Sequence, residues 1–181
     1  MSVYISMLRG INVGGQKKVR METLRGIYEG LGFTYVRTYV QSGNVAFETT
    51  EQDQSELAKR VEVHIEQTCG YPVAVFVRRA EDIQHILTSN PFLNNRNVDP
   101  TKLHVTFLYR PPMEAAWSTL TTPSGIMDEF APGEMAVYLF CPNGYGKTKL
   151  STSFFERKLG VPATTRNWNT VNALYSMTID M

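Results

Sequence analysis

Twice along the chain a two-residue hydrophobic alternation gives way to a helical period. Two more extended runs, a second helical period and a final extended run then follow. Over residues 2–9, Val3, Ile5 and Met7 alternate with Tyr4, Ser6 and Leu8, as a strand requires. Met21, Leu24, Ile27, Tyr28 and Leu31 recur at helical spacing, and Gly32 suits a helix stop because it lacks a Cβ. Residues 33–40 and 45–49 are extended runs separated by the turn formers Ser42, Gly43 and Asn44. Asp53, with Glu56 three residues on, resembles a capping box. The helix it opens carries Leu57, Ala58, Val61, Ile65 and Cys69 on one face and ends at Gly70. Residues 72–77 read as the fourth strand.

A short helix over residues 80–88 and a turn-rich linker over 89–97 lead into the second pass. Leu103, Val105, Phe107 and Tyr109 alternate as a strand, and Met113, Ala116, Trp117 and Leu120 form a helical face. A strand near 126–130 is expected to turn at Pro132-Gly133 into a strand over 135–141. Leu150, Phe154, Phe155 and Leu159 mark a helix that stops at Gly160, and residues 163–166 close the unit as an edge strand. The predicted fold is therefore α+β, with two tandem ferredoxin-like (β-α-β-β-α-β) halves plus a C-terminal helix. The expected boundaries are 1–79, a connecting segment 80–101, 102–166, and a last helix over 167–181.

Composition narrows what such a chain does. Apolar residues make up 43% of the 181, enough for a real core. A net charge of +1 gives no overall field to draw in nucleic acid or a membrane, so any anion site must be a local cluster. No segment approaches the roughly 20 apolar residues of a membrane span, and the N-terminus has neither the basic start nor the long apolar run of a signal peptide. Cys69 and Cys141 form no CxxC pair, which suits free thiols in the cytoplasm. His64, His85 and His104 stand apart from one another, so no metal is expected.

Two loops carry the binding expectation. In residues 9–18, Gly10, Gly14 and Gly15 would let backbone N–H groups turn inward, while Arg9, Lys17 and Lys18 supply charge beside Asn12. The bland reading is an irregular loop whose glycines serve turns and whose lysines face water. In residues 143–150, beside Gly144 and Lys149, Gly146-Lys147-Thr148 resembles the end of a Walker A loop. Its first glycine position is occupied by Cys141, so the nucleotide motif is broken. A phosphate cradle between a strand and a helix survives as the weaker expectation. Ser42 and Asn44 would present a hydroxyl and an amide, or simply build a hairpin turn. Arg166 and Asn167 would flank a ligand at the last helix, or serve as a structural pair partner and an N-cap. The neighbouring carboxylates Asp128 and Glu129 make poor acid–base partners, because adjacent strand positions face opposite ways.

Three of these stretches resemble the signature of the domain-of-unknown-function family 1697. They are Leu8-Arg9-Gly10-Ile11-Asn12-Val13-Gly14-Gly15, Thr38-Tyr39-Val40-Gln41-Ser42-Gly43-Asn44-Val45 and Thr164-Thr165-Arg166-Asn167-Trp168-Asn169-Thr170-Val171. Asn143-Gly144-Tyr145-Gly146-Lys147-Thr148-Lys149-Leu150 is similar to a fourth family segment. The resemblance implies the two-half architecture and no particular activity.

The functional expectation is that both glycine loops, with Arg166, bind a small phosphorylated or other anionic ligand at a shared site, with no cofactor. No general base falls inside the motifs, so whether the chain is an enzyme stays open. Alternatives are an assembly module, monomer or homodimer, using an open face with Tyr4, Leu8, Tyr138 and Phe140, or single-stranded nucleic-acid binding through Tyr4. The last is disfavoured by charge and by the single aromatic, Phe47, in the run from Ser42 to Thr49.

Overall fold

The structure, a computed structural model, describes residues 1–94 and 96–181. The described residues form two four-stranded antiparallel sheets and six α-helices. They divide into two compact units, Met1–His85 with Asn172–Met181, and Ile86–Val171. Arg37 Nη1 donates to the Met177 carbonyl at 3.2 Å, which ties the last residues into the first unit.

The first unit contains β1 (Ser2–Leu8), α1 (Met21–Gly30), β2 (Thr34–Tyr39), β3 (Asn44–Thr49), α2 (Gln54–Cys69) and β4 (Val75–Arg79), in the sheet order β2-β3-β1-β4. α3 (Ala80–Thr88) follows β4 directly. The core lies where Tyr4 and Leu8 of β1 and Val45 and Phe47 of β3 meet the apolar faces of α1 and α2. Phe47 sits at its centre, 4.7 Å from Phe33, 5.3 Å from Tyr28 and 5.8 Å from Tyr4 between ring centres. Burying rings of this size contributes about 1.5–3 kcal/mol each. The Tyr28 hydroxyl pairs with Ser6 Oγ at 2.6 Å, and burial pushes its phenol well above the usual range.

The second unit contains β5 (Leu103–Leu108), α4 (Glu114–Ser118), β6 (Glu129–Gly133), β7 (Ala136–Phe140), α5 (Thr152–Leu159) and β8 (Ala163–Asn167), in the order β6-β7-β5-β8. α6 (Trp168–Ser176) follows, with Asn167 Oδ1 accepting from Thr170 N at 2.8 Å. Local details recur at matching places in the two units. Leu8 N bonds the Gly43 carbonyl and Leu108 N bonds the Met135 carbonyl. Val75 N donates to Glu62 Oε1 of α2 at 2.8 Å, and Ala163 N donates to Glu156 Oε1 of α5 at 2.9 Å. Arg78 lies opposite Ile5, and Arg166 opposite Val105.

Four expectations are corrected. The fourth strand runs over Val75–Arg79, not residues 72–77, because β1 ends at Leu8 opposite Val75 and leaves residues 72–74 no ladder partner. The hairpin after β6 turns at Glu134 and Met135, not at Pro132-Gly133. Pro132 sits on an edge strand, where a missing N–H costs nothing. Gly133 is required because a Cβ there would lie 2.7 Å from the Tyr138 ring. Asp53 caps α2 through Ser55 N and Glu56 N, but the return bond to Asp53 N comes from Glu51, not Glu56. Finally, Tyr4, Leu8 and Tyr138 are buried, and Phe140 is half-buried beneath the Arg96 guanidinium, so these residues present no open face. In the expected linker, Asn90 caps a 3-10 turn at Pro91–Leu93, and Asn95 lies outside the described residues.

Gly43 shows how tightly the first unit is closed at the β2–β3 turn. Its φ is +75°, and a Cβ would lie 2.6 Å from Ile11 Cδ1 and 2.7 Å from Leu8 Cβ. Gly43→Ala is expected to cost about 2–4 kcal/mol, combining left-handed strain with overpacking. Gly14→Ala faces open space and should cost about 1–2 kcal/mol. Chemical denaturation of the two variants checks the difference.

Candidate functional site

In the first unit, the loop of residues 9–18 and the turn of residues 41–44 come together. Asn12 does the joining: its Nδ2 donates to the carbonyls of Val19 and Gln41, and its Oδ1 accepts from Val19 N. Gly14 and Gly15, at φ +57° and +75°, form the corner of a small hairpin closed by Gln16 N to the Val13 carbonyl at 3.0 Å. Two successive positive φ values are what a tight primed turn demands. Lys17 Nζ donates to the Pro72 carbonyl at 2.8 Å, and the Lys18 carbonyl accepts from the Tyr71 hydroxyl. Lys18 is exposed, and Arg9 is half-buried with its backbone N–H on the Ala74 carbonyl. Ser42 Oγ accepts from Asn44 Nδ2, which also reaches the Tyr39 carbonyl. Asn12 thus holds loop to turn, Lys17 ties the loop to Pro72, and Asn44 braces the turn itself.

In the second unit, residues 143–149 behave differently. Gly144, at φ +90°, leads into a 3-10 turn at Tyr145–Lys147. The Tyr145 ring stacks on His104 at 4.6 Å. Its hydroxyl meets Thr152, which continues through Thr165 to Thr106 in a chain of hydroxyl contacts of 3.2, 2.8 and 2.8 Å. Thr148 Oγ1 accepts from Leu150 N and donates to Asp128 Oδ2 at 2.6 Å. Gly146, Lys147 and Lys149 stay exposed. Ser151 caps α5 through Phe154 N, and Thr152 N donates to the Tyr145 hydroxyl, so two of the helix-end N–H groups are already engaged.

A cleft of about 440 Å³ opens here, lined by Gly125, Ile126, Met127, Asp128, Asn143 and Lys147. Asp128 is only 7% exposed, although it lines this cleft. Cys141, fully buried nearby, has its thiol pushed up to about 11 by burial, with Thr148 opposing and Asp128 adding to the shift. A thiol held protonated in this way is no nucleophile.

Arg166 lies buried on β8, its Nη1 bonded to Thr164 Oγ1 at 2.8 Å and the Thr165 carbonyl at 3.0 Å. Burial lowers its guanidinium to about 10. Asn167 is the helix cap already described. Among the described residues, no group of three or more His, Cys, Asp or Glu could hold a metal ion, and no helix is long and apolar enough to cross a membrane.

Neither the place of Asp128 in the cleft lining nor the hydroxyl chain is legible in the sequence. Asp128 and Glu129 do take separate partners: Asp128 accepts from Thr148, and Glu129 pairs with Arg96 at 2.9 Å. The chain draws Tyr145, Thr152, Thr165 and Thr106 from four separate segments, and no spacing rule connects them.

Over residues 1–138 the chain matches a family described as "Protein of unknown function (DUF1697)". The segments 143–150 and 164–171 lie beyond that span. The chain is also similar to a solved structure, that of the conserved bacterial protein SP0830 from Streptococcus pneumoniae. The identity is 21%, the TM-score 0.73, and the likeness covers 97% of this chain and 98% of that one. At that identity the likeness shows the fold alone. A search of curated proteins found no match.

His104 makes this region sensitive to acid. It is 8% exposed, and its Nδ1 is sealed from solvent with no hydrogen-bond partner among the described residues. Burial holds its imidazolium form down, offset in part by the Lys102 carbonyl. The unfolded chain therefore binds a proton more readily than the folded one, and stability rises with pH across that interval. The contribution should be complete above the ordinary imidazole value of about 6.5 and fall away as pH drops below it. Urea midpoints between pH 8 and 5 should decline for the native chain, and His104→Phe should flatten that decline.

Proposed function

Because the chain belongs to the DUF1697 family of proteins of unknown function, its own residues must carry the functional reading, and we propose that it binds a small anionic, phosphate-bearing ligand. The order β2-β3-β1-β4, matched by β6-β7-β5-β8, supports reading each unit as a ferredoxin-like module, the second a duplicate of the first. Of the two basic glycine loops, the second is the better supported binding element. In the first, Asn12, Lys17 and Asn44 are engaged within the fold.

The carrying observation is the cleft of the second unit, where the exposed cation Lys147 and the amide of Asn143 border a space of about 440 Å³. That volume lies within the roughly 300–1,000 Å³ of small-molecule sites. Lys149, exposed two residues on, adds positive field at the mouth. Two free thiols, Cys69 and Cys141, support a reducing, cytoplasmic setting.

Isothermal calorimetry with glycerol phosphate tests the reading. A hydrogen bond to a charged group is worth about 1.5–3 kcal/mol, so Lys147→Ala should weaken binding about 10- to 100-fold. Lys17→Ala should leave affinity unchanged. Equal losses in both variants, or no binding to the native chain, would overturn it.

A further inference from the structure

The cleft of the second unit has a chemically mixed lining. Lys147 and Asn143 offer donors, and the Asp128 carboxylate offers an acceptor. Asp128 is held by Thr148. Leu150 N occupies the acceptor side of the Thr148 hydroxyl at 3.0 Å, so the hydroxyl hydrogen is directed to Asp128 Oδ2 at 2.6 Å. Oδ1 is reached by no protein donor among the described residues, and it is not among the polar atoms sealed from solvent without a partner. A carboxylate more than nine-tenths buried thus lines the cleft that Lys147 also borders, with one oxygen left over by its bond to Thr148.

A simple inorganic anion fits this poorly, since its charge would meet the lysine and the carboxylate together. A ligand with an anionic end and a hydrogen-bond-donating end fits both. Ile126 and Met127 add apolar lining that suits a short carbon chain.

Resting on the reading of this cleft as the anion site, we propose that its ligand is a phosphate monoester that also carries a hydroxyl or ammonium donor. The phosphate lies on Lys147 and Asn143, and the donor bonds Asp128 Oδ1. Thr148 is a positioning residue, holding the carboxylate so that this oxygen faces the ligand.

Calorimetry on the full chain with methyl phosphate, glycerol phosphate and phosphoethanolamine tests this. Methyl phosphate has the anion without the donor; the other two carry a hydroxyl and an ammonium donor. At least one of them should bind ten-fold or more tighter than methyl phosphate, and which one identifies the donor. Asp128→Asn should narrow that preference to about threefold or less and tighten methyl phosphate. Lys147→Ala should weaken all three alike. Three equal affinities in the native chain, all dependent on Lys147, would overturn the donor requirement and leave the anion site standing. No binding of any of the three would overturn both. The native-chain series decides the matter even if Asp128→Asn folds poorly.

Discussion

In each unit the first strand is bonded along both edges and buried on both faces, and the rest of the unit is arranged to permit that. β1 runs between β3 and β4, and β5 between β7 and β8, all antiparallel. Tyr4 to Leu8, and every residue of β5, are buried. A buried backbone must have its N–H and C=O groups paired, so both neighbours of the central strand are obligatory. Helices then close one face: α1 and α2 in the first unit, α5 with the short α4 in the second.

Several polar side chains admitted to this interior are matched. Ser6 meets the Tyr28 hydroxyl, Thr106 meets Thr165, and glutamates on α2 and α5 receive the first N–H of the fourth strand. Exceptions include Asn90 Nδ2 and His104, whose ring shares a stack with Tyr145 while Nδ1 goes unmatched. Such a group costs free energy in the folded state, more so once protonated. The corresponding strand position in the first unit is Tyr4, stacked on Phe47. The two units therefore solve the same packing problem differently, with an aromatic cluster in one and a hydroxyl network in the other. The second solution adjoins a cleft.

The loops divide along the same line. A loop that closes a hairpin on itself, as residues 12–17 do, spends its glycines on positive φ and its amides on carbonyls a few residues away. A loop that turns through a single 3-10 turn, as residues 144–148 do, anchors Tyr145 and Thr148 inward and leaves Lys147 outside. Both look alike as strings of glycine and lysine. What separates them is which polar atoms are already engaged.

Periodicity alone marked out the strands and helices, because side chains alternate along a strand and recur every three to four residues around a helix. Gly32, Gly70 and Gly160 announced helix ends, since only glycine takes positive φ freely. Asn167 announced the last helix, because its side chain can stand in for a missing carbonyl. Exact bounds escaped at β4 and at the β6–β7 turn, where the partner strand's length and the Tyr138 ring decide where pairing stops. The role of each polar residue escaped for the same reason. Whether Asn12 meets the Gln41 carbonyl, and whether Asp128 meets Thr148, depends on neighbours 29 and 20 residues away. Local order follows from local chemistry in the chain. The site follows only from distances across it.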